Sequence, residues 1–144
     1  MGKEHWNWQM DRSIPSATGA GRGIQEALLR AMEAAGWSQH ERFSVRLSME
    51  EAMVNAIAHG NRYDEAKRVH VRCWLRPDLV RIEVSDEGSG FDPACVPDPT
   101  DATRLECPCG RGLMLMRHFM TRVKYSPSGT TVVLEKRRKS SSDG

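Results

Sequence analysis

The chain is 144 residues long, 39% hydrophobic and 28% charged, with 21 Lys+Arg against 19 Asp+Glu and a net charge of +2. A chain of that length reads as one domain, burying roughly 68–70% of its unfolded surface without disulfide support. No window approaches the ~20 apolar residues of a membrane span, and the charge is too weak to argue for nucleic acid. The cysteines (Cys73, Cys95, Cys107, Cys109) are too few and too irregular for a disulfide scaffold. Met1 to Trp6 lacks an apolar signal core, so a soluble protein of a reducing cytoplasm is the expectation. Lys136-Arg-Arg-Lys139 before Ser-Ser-Ser-Asp-Gly reads as a solvated terminus, which divides the chain into a single domain over 1–139 and a disordered tail over 140–144.

His5 to Ile14 alternates with strand period, placing Trp6, Trp8, Met10 and less cleanly Arg12 and Ile14 on one side, and Pro15 ends it. After a Gly/Ser-rich stretch, Ile24 to Ala35 has helical spacing and Gly36 stops it. Ser38 caps a second helix, with Glu41 completing a capping box, and this helix runs to His59 and closes at Gly60-Asn61. Lys67–Leu75 and Leu79–Ser85 form a hairpin around Arg76-Pro77-Asp78. The stretch after Asp86 carries Pro93, Pro97, Pro99 and Pro108, which forbid a long regular element and suit a lid. Gly110-Arg-Gly112 opens a third helix, and Arg122–Tyr125 with Thr130–Glu135 make a last hairpin. The order β-α-α-β-β-lid-α-β-β predicts an α+β two-layer sandwich, a mixed, mostly antiparallel sheet with three helices on one face.

Three polar features stand out. Phe43, Leu47, Glu51, Asn55 and His59 lie at i+4 steps along the second helix, two apolar residues leading a carboxylate, an amide and an imidazole onto the core-facing side. Buried groups of that kind need partners or a cleft; a row drifting to solvent by residue 51 is the plain alternative. Lining a cleft, Glu51 suits a general base and the Asn55 amide oxygen a hard cation such as Mg²⁺. Asp86-x-Gly88-x-Gly90 follows a strand, where a carboxylate can accept from an amino group and glycines let backbone approach a ligand; an ordinary tight turn carries the same pattern. Gly110-Arg-Gly112 at a helix start suits phosphate, or is simply a hinge.

Taken together, Glu51-Ala-Met-Val-Asn55-Ala-Ile-Ala-His59, Asp86-Glu-Gly-Ser-Gly-Phe-Asp92-Pro and Gly110-Arg-Gly-Leu-Met-Leu-Met-Arg resemble the Bergerat (GHKL) ATP-binding fold, and within it the anti-sigma-factor serine kinases. The motifs span residues 50 to 131. The resemblance implies that Asn55 ligates Mg²⁺ and that Glu51 takes the proton from a target serine, with Glu50 a solvent-facing neighbour. It implies that Asp86 accepts from the adenine amino group while Gly88 and Gly90 admit the ring. Gly110, Arg111 and Gly112 would cover the phosphates, and the Thr130 hydroxyl would support Asp86. His59 is expected to be structural.

The implied function is an anti-sigma factor serine/threonine kinase that binds Mg-ATP, sequesters a sigma factor and phosphorylates a serine of a STAS-type anti-anti-sigma antagonist, as a homodimer. The competing readings are a non-catalytic nucleotide-binding or sequestering module, and a detached histidine-kinase catalytic domain. Met120-Thr121 stands where the family often has Met-Asp, which weakens the expectation for partner contacts. Cys107-Pro-Cys109 with Cys95 is too tight and too small a set for zinc. Gly19-Ala-Gly-Arg-Gly23 lacks dinucleotide-loop spacing.

Overall fold

The computed structural model describes residues 6–88 and 108–139, with the side chains of 108–112 excepted. The expected lid, Gly90, Cys95, Cys107 and the tail lie outside the described residues. The elements are β1 (Trp8–Pro15), α1 (Arg22–Ala34), α2 (Gln39–Val54) running directly into a π-helical turn (Asn55–Gly60), β2 (Arg68–Arg76), β3 (Leu79–Ser85), α3 (Pro108–Phe119), β4 (Arg122–Tyr125) and β5 (Thr131–Arg137).

The strands form one sheet in the order β1-β2-β3-β5-β4. Every described pairing is antiparallel, where a mixed, mostly antiparallel sheet was expected. β4 does run parallel to β3, as a strand returning through a helix should, but β5 lies between them and pairs antiparallel with both. Along β2, Val69, Val71, Cys73 and Leu75 are buried while the residues between them are not. Val80, Ile82 and Val84 of β3 and Val132 and Leu134 of β5 continue that apolar face, and the three helices cover it. Leu28, Met32, Val45, Met49 and Met116 fill the space between helices and sheet. Cys73 belongs to this layer, and burial pushes its thiol up to about 12, so it packs as a small apolar side chain.

β1 begins at Trp8 rather than His5, and the expected alternation does not extend back to Trp6. A bend at Asn7 turns Trp6 onto the other side of the sheet, where its ring meets Trp74 (centroids 6.3 Å apart) and lies under the guanidinium groups of Arg76 and Arg81. Arg12 is exposed. α2 starts as expected: the Glu41 N–H donates to Ser38 Oγ (3.1 Å) and the Ser38 N–H to Glu41 Oε1 (3.0 Å). α3 is already helical at Pro108, two residues before the expected start; proline has no N–H to leave unpaired in a first turn. The residues after β5 fasten the sheet to the α1–α2 turn. Arg138 donates to the carbonyls of Ala35 (3.1 Å), Gly36 (2.5 Å) and Pro77 (3.2 Å), and the Lys139 N–H donates to Glu41 Oε2 (2.9 Å).

Candidate functional site

The C-terminal end of α2 faces the ends of β3 and β5 across a pocket of about 240 Å³. Ala52, Asn55, Ala56, His59, Gly60 and Arg62 form one wall; Val84 and Asp86 form the floor; Tyr125, Gly129, Thr130 and Val132 form the far wall. Asn55, Asp86 and Thr130, which are separated by up to 75 positions in the chain, therefore share one cavity.

The helix reaches this wall by changing its winding. Over Asn55–Gly60 it widens into a π turn, a form frequent at functional sites. Asn55 sits at the junction, half-buried, with an Nδ2 that is shielded from solvent and has no hydrogen-bond partner among the described residues. This N–H is a donor, and an unmade buried hydrogen bond costs about 1–3 kcal/mol, so an acceptor in the pocket would relieve it.

Asp86 follows β3. Its N–H donates to the Thr130 carbonyl (2.9 Å), and its Oδ1 accepts from the Gly88 N–H (2.9 Å). Desolvation raises its carboxyl above the ordinary value of 3.8, against the opposing pull of the Gly88 hydrogen bond and the Lys67 charge. Two glycines make this packing possible. A Cβ on Gly60 would run into the Asp86 carboxylate, and a Cβ on Gly88 would run into the Gly60 carbonyl. The π turn and the Asp86 loop thus touch backbone to backbone.

The other expected residues fall in several places. Glu51 is partly exposed one turn before Asn55, outside the pocket lining, and its carboxylate has no partner among the described residues. The row leading to it does not start on the core side. Phe43 is 51% exposed and Leu47 is only partly buried, because Val45, Met49, Ala52, Met53 and Ala56 occupy the core stripe. Phe43 instead meets Phe119 of α3 edge-on, with ring centroids 5.9 Å apart. Glu50 is exposed. His59, expected as a structural histidine, is exposed at the pocket wall. The Thr130 hydroxyl is bonded to Ser128 Oγ (2.8 Å); its contact with Asp86 runs through the backbone. Gly110, Arg111 and Gly112 lie within α3, and their relation to the pocket is outside what is described. Among the described residues no group of three or more His, Cys, Asp or Glu could hold a metal ion. No helix is long and apolar enough to cross a membrane.

Sequence reasoning missed Asn61, Tyr125 and Arg62. Asn61 is 1% exposed and ties the π turn to the Asp86 loop; Tyr125 and Arg62 line the pocket. None carries a periodic or motif signal of its own.

The family profile described as "Histidine kinase-like ATPase domain" matches residues 14–136. The chain belongs to this family. Among relatives of this ATPase domain, the serine/threonine-protein kinase BtrW of Bordetella bronchiseptica is 32% identical over 91 residues, 62% of this chain and 64% of the relative. An anti-sigma F factor of Oceanobacillus iheyensis is 31% identical over 98 residues, 64% of this chain and 66% of the relative. One of Clostridium perfringens is 32% identical over 99 residues, 65% of this chain and 70% of the relative. These matches set the domain with the anti-sigma-factor kinases of the family, and the chain spans just under two thirds of the length of the first two. A crystal structure of the RsbU and RsbW domains of a Mycobacterium tuberculosis protein superposes with a TM-score of 0.60 at 16% identity, covering 92% of this chain and 32% of that one. At that identity the likeness concerns the fold alone.

Proposed function

We propose that this chain is an anti-sigma-factor serine/threonine kinase. It binds Mg-ATP in the pocket between α2 and the β3 and β5 ends, holds a sigma factor, and phosphorylates a serine of a STAS-type anti-anti-sigma protein. The observation that carries this reading is the convergence of Asn55, Asp86 and Thr130 on one cavity, in a chain whose relatives include a serine/threonine-protein kinase and anti-sigma F factors. Action in the cytoplasm as a homodimer belongs to the same proposal.

Asp86 accepts a hydrogen bond from the adenine amino group, and the oxygen of the Asn55 amide would hold Mg²⁺. The fit is a modest one, as Mg²⁺ calls for: the ion usually takes one or two protein ligands and the rest from substrate phosphates and water. When bound, it neutralises charge on the phosphates. Glu51 takes the proton from the serine hydroxyl, whose oxygen bonds to the γ-phosphorus as the bond to the β–γ bridging oxygen breaks and ADP leaves. By the same resemblance Gly88 and Gly90 would admit the adenine ring, and Gly110, Arg111 and Gly112 would cover the phosphates.

The partly exposed Glu51, with no partner among the described residues, favours a second reading: a domain that binds nucleotide and sequesters its partner without transfer. One set of measurements separates the two. Phosphate transfer from ATP to a candidate antagonist should fall about 10²–10⁴-fold in Glu51→Ala, with ATP affinity by calorimetry unchanged. Undiminished transfer would remove the base role, and no transfer by the wild type would favour sequestration. Asn55→Ala should abolish the Mg²⁺-dependent part of ATP affinity; equal wild-type affinities with and without the metal would exclude that role.

A further inference from the structure

We propose that Asn61 is a positioning residue that fixes the Asp86 end of the pocket against the Asn55 end; this rests on the nucleotide reading above. Asn61 is 1% exposed, and its amide is shared among three segments of chain. Its Oδ1 accepts the N–H of Glu87 (2.8 Å), the residue directly after Asp86. Its Nδ2 donates to Ser16 Oγ (2.9 Å), just past β1, and to the Arg68 carbonyl (3.0 Å) at the start of β2. Its own N–H closes the π turn onto the Ala56 carbonyl (2.8 Å).

Asp86 is therefore held from both directions along the chain. Behind it, the Thr130 carbonyl takes its N–H; ahead of it, Asn61 takes the N–H of Glu87. The first anchor belongs to β5. The second belongs to the same π turn that carries Asn55, so this amide, with the Gly60–Gly88 backbone contact beside it, sets the separation between the two ends of the cavity. The next two residues, Arg62 and Tyr63, have φ of +52° and +58°, a left-handed conformation that non-glycine residues adopt only where the surroundings hold them. The Tyr63 N–H on the Ile57 carbonyl (2.9 Å), the Asp64 N–H on the Asn61 carbonyl (3.0 Å) and the Asn61 side-chain bonds together supply that hold. A shift of the Glu87 amide would swing the Asp86 carboxylate, and a carboxylate that selects one purine by its exocyclic amino group tolerates little displacement.

The test compares ATP and GTP affinity by calorimetry, together with melting temperature, in wild type, Asn61→Ala and Ser16→Ala. Ser16→Ala removes one of the outer bonds of Asn61 and leaves the bond to Glu87, so it reports what network damage alone does. Asn61→Ala should cut the ATP-over-GTP preference about tenfold or more, the worth of one buried hydrogen bond. Ser16→Ala should lower the melting temperature and keep the preference. A preference kept in Asn61→Ala, or lost in both variants in step with melting temperature, overturns the proposal. If Asn61→Ala does not fold, hydrogen exchange on the wild type decides: the Glu87 amide should be protected equally in the free and ADP-bound protein, and fast exchange in the free protein overturns it. A folded wild type that binds neither nucleotide removes the nucleotide reading and this inference together; binding with an indifferent Asn61→Ala removes only the inference.

Discussion

Asp86 places a charge where burial opposes it. Because its folded pKa lies above the ordinary 3.8, the folded state holds its proton more tightly than the unfolded chain. The associated stability is complete below 3.8 and is lost as pH rises through the folded value, so at neutral pH the fold carries the whole penalty. Asp86→Asn removes the charge and keeps an oxygen for the Gly88 N–H. The expected outcome at pH 7 is a higher melting temperature, together with a loss of ATP-over-GTP preference. Thermal melts and calorimetry on the same sample check both halves, and a lower melting temperature would contradict the desolvation account. Asp86 was legible as a candidate because a carboxylate, glycines and a strand end sit within five positions. Its burial was not, since Gly60, against which its carboxylate packs, lies 26 positions away.

At the scale of the element, α2 has two ends with separable duties. Its first turn is closed by the Ser38–Glu41 box, so Ser38→Ala should cost about 1 kcal/mol of stability, measured by urea unfolding, and leave ATP affinity unchanged. Its last turn is set by Gly60, and Gly60→Ala should displace the Asp86 carboxylate, costing about 1–3 kcal/mol and most of the nucleotide affinity. A Gly60→Ala protein that binds ATP normally would contradict the packing of the Asp86 carboxylate against Gly60. The capping box was readable because its chemistry is local, as was the β2–β3 hairpin with Pro77-Asp78 at its turn. The π turn was not: nothing in Asn55-Ala-Ile-Ala-His-Gly60 distinguishes a widened turn from an ordinary one, and the widening puts His59 at an exposed wall. Extrapolating the i+4 row backwards likewise put Phe43 toward the core, whereas the buried stripe is one residue round the helix and Phe43 reaches α3. Asn61 escaped notice because its partners lie 45, 7 and 26 positions away.

Across the whole molecule, Glu41 joins the first turn of α2 to the end of the described chain. Desolvation, the largest single influence, pushes its carboxyl up. The hydrogen bonds from Lys139 and Ser38 and the Arg138 charge together outweigh it and hold the group below its ordinary 4.5. Stability from Glu41 is therefore present above 4.5 and lost as pH falls through the lower folded value. Glu41→Gln should reduce stability at pH 7 and flatten its decline below pH 4.5 in acid titrations followed by circular dichroism; an unchanged acid limb would contradict this role.

The position of β5 has a consequence for synthesis. It is the last of the described strands in chain order, yet it sits between β3 and β4. While residues 131–137 are still within the ribosome, Leu79–Ser85 presents an open edge with Val80, Ile82 and Val84 facing a half-built core. Such an edge invites pairing with other chains. Nascent chains released before residue 131 should therefore associate with one another or occupy chaperones, while those released after residue 139 close the gap themselves.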